Sequence, residues 1–332
     1  VQKLITAFGL LISSFSSNAM ADYINIQTCD ELVSFFNGSI SSSYVSITND
    51  IDCTSSPTLE HGLRESINGN GHTISNLRFK GDSSSRYKTF ISANLTDIVF
   101  DNATVHNTEE WALFSIKARW NNVKFNNLSS TGKPFKMLFW TNINGFELSD
   151  VLLDIAGVKL EEVKTLVFDK IFHARVTNFT LENATLTRKS DWMTALISER
   201  SEDSYLTNIK LYNISILGQP TGNNGRLDLA LGDVRNTHVN GLNLDNISFS
   251  RSKEDSFFSY EYDDKSTYVN IYHNLFDDNK QAGNIPISKS PRDNINSRVI
   301  NFQSMNQPKL PPAICSPYLL QDSYFGIKSI NN

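Results

Sequence analysis

The chain has 332 residues, with 30 Lys and Arg against 35 Asp and Glu and a formal net charge of −5 at pH 7. A mildly acidic chain without a basic run is a poor partner for nucleic acid or a polyanion unless cations bridge the contact. No Cys-x-x-Cys and no His cluster is present, which argues against a structural zinc site, and the length suffices for a large core or an elongated solenoid.

Residues 1–21 read as a secretory leader: Lys3 is the positive end, Leu4 to Phe15 the apolar stretch, and Ala19-Met20-Ala21 the small-residue cleavage box. Cleavage would leave a mature chain starting at Asp22, secreted or periplasmic, its charge moving from −5 to −6 with the loss of Lys3. The stretch is too short to span a bilayer and no later apolar run replaces it, so no integral membrane segment is expected after removal; an uncleaved anchor is the alternative. Residues 22–43 form an N-terminal capping segment. Thr28-Cys29-Asp30-Glu31 is a capping-box pattern before Leu32, Val33, Phe35 and Phe36, which predicts a short amphipathic helix beginning near Cys29 and covering the open end of a solenoid. In an oxidising compartment Cys29 and Cys53 are placed to pair, while Cys315 is buried, free or paired with either of them.

From Ile67 onward a pattern [Asp/Asn/Gly]-apolar-x-apolar-x-[Asn/Asp]-apolar returns. Its anchors are Asn76, Asn102, Asn127, Asp150, Asn183, Asn213 and Asn246, with a looser match at Asn274, at spacings of 26, 25, 23, 33, 30, 33 and 28 residues. That is the length of one coil of a parallel β-helix with loops of varying size. Period-two alternation points Ile98/Phe100, Val123/Phe125, Phe146/Leu148, Phe179/Leu181, Ile209/Leu211 and Leu242/Leu244 inward. A second apolar strand precedes each pattern, as in Leu166-Val167-Phe168 and Ala195-Leu196-Ile197, giving two strands and a loop per coil. The solenoid is expected over residues 44–282. Six of the nine prolines lie between Pro286 and Pro317, so residues 283–332 read as a C-terminal cap packed on the last coil, or as a tail.

The run Gly69-Asn70-Gly71-His72-Thr73-Ile74-Ser75-Asn76-Leu77, with later blocks such as Asn121-Asn122-Val123-Lys124-Phe125-Asn126-Asn127-Leu128, resembles right-handed parallel β-helix proteins of bacterial surfaces. It is similar in particular to GLUG-type repeats and the wider pectate-lyase-like superfamily, over about residues 40–280. The resemblance implies an all-β, right-handed solenoid. It does not imply one activity, because that superfamily holds polysaccharide lyases, glycoside hydrolases and adhesins.

Counting back 13 or 14 residues from the later anchors gives Asp169, Glu199, Asp233 and Glu261, which would form an acidic column on successive coils about 4.8 Å apart. Arg200 and Arg235 follow closely, and Lys170, His173 and His238 are near. The resemblance implies that such acids hold calcium, here at Asp169, Glu199 and Asp233, or act as a catalytic set with an Arg or Lys base. No Asn-Thr-Asp or Gly-His-Gly set of pectin hydrolases is present, and an exposed salt-bridge ladder is the structural alternative. A second group, Glu109-Glu110-Trp111, Glu161-Glu162, Asp191-Trp192 and Glu254-Asp255, follows the anchor strands. Trp111 and Trp192 would stack on sugar rings, or else begin the next core strand among solvated acids. The Asn-x-Ser/Thr sequons at Asn102, Asn127, Asn183, Asn213 and Asn246 fall on the anchors, which already explain them.

No catalytic motif is complete. The first expectation is therefore a binding surface for polysaccharides or cell-surface glycans, without turnover and with no cofactor beyond a possible calcium. The alternatives are a polysaccharide lyase or glycoside hydrolase using the acidic column, and a structural passenger.

Overall fold

The structure, a computed structural model, describes residues 23–38, 44–80, 90–108, 111–115, 119–141, 145–188, 194–218, 227–250, 255–261, 265–277, 280–282, 285–287 and 299–305. The proposed leader at 1–21 and Cys315 lie outside them. The fold is a parallel β-solenoid of about six turns with one helix. In the longest sheet the strands stack parallel in chain order, from Tyr23–Ile26 and Tyr44–Ile47 through Arg119–Asn126, Glu147–Asp154, Arg175–Arg188, Tyr205–Leu217 and His238–Phe249 to Thr267–Asp277. A second sheet stacks Ala112–Ser115, Met137–Trp140, Phe168–Phe172, Ser198–Glu202, Leu227–Arg235 and Ser256–Glu261, one strand per full turn. Arg78–Lys80, Thr104–Asn107 and Ser129–Gly132 form a third, small sheet in the early coils.

The strands turn corners where one residue takes a left-handed backbone. At Asn122 (φ 52) and Asn127 (φ 52) the alternation slips by one, so that Asn121 and Asn122 both face out between buried Trp120 and Val123. Asn, Asp and Gly tolerate this conformation, which explains their recurrence better than any solvent preference. On three successive coils the corners come in threes, five residues apart: His173, Asn178 and Asn183 on one, Asp203, Asn208 and Asn213 on the next, Asn236, Gly241 and Asn246 on the third, all with positive φ. A coil is thus built from short in-out-in segments rather than two plain strands.

Each corner stacks on its counterpart. Asn127 Nδ2 donates to Asn102 Oδ1 at 2.6 Å, Asn213 to Asn183 at 2.7 Å, and Asn246 to Asn213 at 3.0 Å. A second ladder runs parallel, with Asn122 donating to Asp97, Asn178 to Asp150, and Asn208 to Asn178. Asp150 belongs to this second ladder, which corrects its place among the sequence anchors. In its coil the pairing of Asp154 with Glu182 puts Ile155 opposite Asn183, so the equivalent corner holds an apolar residue and Asn183 donates to the preceding Asp154 instead. The inward pair aligned with Val123/Phe125 there is Val151/Leu153; Phe146 and Leu148 are also buried, one segment earlier. Inside, aromatic rings stack from coil to coil: Phe100 and Phe125 at 4.6 Å, Phe114 and Phe139 at 5.0 Å, Phe139 and Phe168 at 5.2 Å. Trp120 is fully buried, and its indole N–H is satisfied by the Ala93 carbonyl at 2.9 Å.

The helix, Cys29–Asn37, starts at the Thr28 cap with both capping-box hydrogen bonds made, and it buries Leu32, Val33, Phe35 and Phe36 in the common core. Asn37 Nδ2 donates to the Thr58 carbonyl and its Oδ1 accepts from Glu60 N–H, so the helix lies against the next coil and closes the apolar end. Cys29 and Cys53 are joined as a disulfide, Cα–Cα 5.2 Å.

The solenoid runs past the expected boundary at 282. Val299–Ser304 pairs parallel with Thr267–Asp277, and Asn301 extends the second ladder by donating to Asn270 at 2.8 Å. Residues 285–287 add to the edge of the second sheet, where the Pro286 carbonyl accepts from Phe257 N–H. An edge strand needs only the carbonyl side of a proline, so Pro286 is compatible with the coil. His273 sits in this last turn between Phe257 (5.0 Å) and Phe302 (5.1 Å), and burial pushes its imidazole down to about 4. A buried neutral His must take up a proton on unfolding in mild acid, so its contribution is complete above the ordinary value of 6.5 and declines as pH falls towards 4. We expect the urea midpoint to fall between pH 7 and pH 5, and H273F to flatten that drop; an equal drop in H273F would remove His273 as the cause.

Candidate functional site

The acidic column does not survive as a column. Phe168 pairs with Ser198 and Lys170 with Arg200, which sets Asp169 beside Glu199 on neighbouring strands. On the next strand, however, Asp233 pairs with Arg200, and Glu199 lies opposite Gly232. Glu261 pairs with Val234, a further residue out of line. Gly232 is required here by space, since a Cβ on it would come 2.2 Å from the Glu199 carbonyl oxygen. The set therefore reduces to one pair, and the calcium triad Asp169, Glu199 and Asp233 is not assembled as a register column.

The surviving pair has a lysine that sequence reasoning passed over. Lys164 Nζ lies 2.6 Å from Glu199 Oε1. Burial raises the Asp169 carboxyl above its ordinary value; the charge of Lys170 opposes this, Glu199 adds to it, and Lys164 opposes it. Arg200 and Arg235 are directed elsewhere: both hold Glu202, at 3.1 Å and 3.3 Å, and Arg200 also lies over the Phe172 ring. Glu202 was missed because it is counted as part of a strand, not back from an anchor. Arg200 and Arg235 thus make a surface ion cluster with Glu202 next to the acid pair.

The described members of the loop group are dispersed as well. Trp111 is partly exposed and meets Trp140 edge to face at 6.3 Å; it precedes the core strand Ala112–Ser115 without entering the core. Glu161 and Glu162 are on the strand Leu160–Val163, and Glu162 pairs with Lys136 at 2.8 Å. Asp255 is buried and accepts from Leu227 N–H, near the buried Arg188, which donates to the Ser250 carbonyl. It is a structural charge rather than a solvated loop acid. Trp192, with Glu109, Glu110, Asp191 and Glu254, lies outside the described residues. Among the described residues no group of three or more His, Cys, Asp or Glu is arranged to hold a metal ion. No helix among them is long and apolar enough to cross a membrane.

The laddered corners and stacked parallel sheets define the class: a parallel β-helix. Within it, residues 24–137, 114 of the 332, match the family model described as "Putative pectate lyase-like adhesive domain". No curated protein matches the chain.

Proposed function

We propose that the protein is exported through its N-terminal leader and binds cell-surface or extracellular glycans without chemical turnover. The observation that carries this reading is the match of the first coils to an adhesive domain. Two features support it: the acids expected to form a catalytic column are out of register, and the arginines beside them are engaged with Glu202. The disulfide is consistent with an oxidising compartment. Immobilised protein should retain cells or wall polysaccharide from solution, and a panel of polysaccharides incubated with it should show neither new reducing ends nor unsaturated products.

A lyase or hydrolase remains the second reading because of one arrangement, the raised Asp169 carboxyl beside the Glu199–Lys164 pair. On the binding reading, D169N combined with E199Q leaves retention unchanged and costs at most about 1 kcal/mol of stability, as for a partly exposed pair. Turnover by the wild type that vanishes in this double variant would replace binding with catalysis.

A further inference from the structure

One row of side chains runs along the outside of the longest sheet, and no role above uses it. It begins with Tyr23 and Tyr44, in register on the first two strands with ring centroids 5.7 Å apart. It continues through Ser66 and Asn94, whose side chains are hydrogen-bonded at 3.0 Å, and Asn94 accepts from the Arg119 N–H. Arg119 reaches Glu147 at 3.5 Å, and Glu147 is in register with Arg175, which lies over the Tyr205 ring at 5.9 Å. Tyr205 stacks on His238 at 5.0 Å, and His238 meets the Thr267 hydroxyl at 2.9 Å. The next residue on each strand from Val45 onward is buried, so the row faces outward throughout. At about 4.8 Å per strand it is about 43 Å long.

Its composition is unusual for a solvated face. Tyr23, Tyr44 and Tyr205 are exposed by 59%, 46% and 51%, whereas a surface set only for solubility would carry charge there. Between them the groups are hydroxyl, amide, guanidinium, carboxylate and imidazole, donors and acceptors repeated once per coil. Because Tyr205 has His238 stacked on it, its hydroxyl and ring edge are what it offers outward. Of the three ionic groups in the row, Arg119 is answered by Glu147 and Arg175 lies over the Tyr205 ring, a net of one positive charge along the whole row on a chain that is acidic overall. A polyanion gains little from such a strip, and a polyhydroxylated chain with apolar ring edges gains at every step.

We propose that this row is the binding strip for an extended, uncharged polysaccharide lying along the solenoid axis. The proposal rests on the glycan-binding reading above and assigns it a place. The hydroxyls of successive sugars would exchange hydrogen bonds with the row, and the tyrosines near its two ends would hold the chain by ring-edge contact. Tyr44 and Tyr205 are about 29 Å apart, so a polymer reaches both and a disaccharide only one, which makes affinity rise steeply with chain length.

The test is affinity electrophoresis and calorimetry of the whole protein with hydroxyethyl cellulose, an uncharged β-linked glucan, and with cellobiose and alginate. Hydroxyethyl cellulose should bind with little dependence on salt, cellobiose much more weakly, and alginate no better than cellobiose. Y205A and Y44A should each weaken polymer binding about tenfold, equivalent to about 1.4 kcal/mol. Y212A, an exposed tyrosine of the same strand outside the row, should leave it unchanged. Equal binding by Y205A and Y44A, tighter binding of alginate, or no binding of hydroxyethyl cellulose overturns the strip. If cell retention persists in any of those cases the adhesive reading stands and only the strip falls; loss of retention by the wild type itself removes both.

Discussion

Replacing Cys53 with Ser, or reducing the native protein, lowers stability by about 3 kcal/mol in the chain-entropy model. The bond spans a sequence separation of 24 and closes the segment that holds the capping helix and the strand Tyr44–Ile47. A nine-residue helix has no independent stability in water, and it stays in place because of its buried face and this link. In a solenoid each coil contacts mainly its neighbours, so the loss falls first on the N-terminal end. Urea unfolding with and without reductant should show a lowered midpoint, with hydrogen exchange quickening in residues 29–53 before the later coils. An unchanged midpoint would mean that the helix is held by packing alone.

Substituting the corner residue Asn213 should be nearly as damaging. Asn213 has φ 55, donates to Asn183 and accepts from Asn246, so N213A loses both ladder contacts and places a less tolerant residue in the left-handed region. Each contact contributes about 1 kcal/mol and the backbone strain about 1 kcal/mol more, for a total of about 3 kcal/mol. N213G keeps the conformation and loses only the ladder, so it should recover roughly 1 kcal/mol of that. Thermal melting of the two variants side by side separates the terms. Equal losses would show that the ladder, and not the left-handed backbone, carries the effect.

How much of this was legible in the chain depends on the period being read. The coil length and the inward positions follow from apolar alternation, which survives variable loops because it is local. The anchors were readable for the same reason, since only a few residue types accept a left-handed corner. Asp150 was misplaced because two corners five residues apart carry the same residue type; Asn122/Asn127 and Asn178/Asn183 show that interval plainly in the sequence. The acidic column failed on a finer point. Asp169 and Glu199 stand 14 residues before their anchors and Asp233 only 13, and in a strand a single residue is enough to change the face presented. Site geometry therefore needs a register that loop-length variation hides, while fold needs only the repeat.

The disulfide also sets how the molecule carries load. Strand hydrogen bonds in a solenoid run along its axis, so tension on one end peels coils in succession instead of shearing a whole sheet. Force entering from the N-terminal side reaches Cys29 and passes directly through the bond to Cys53, bypassing the strand Tyr44–Ile47 and most of the helix. The loop between these cysteines is held closed covalently, so once the strand Tyr23–Ile26 has detached, further extension starts in the turns beyond Cys53. The closed N-terminal loop then acts as a mechanical stop, and its oxidation state sets the length of chain that a given pull can release.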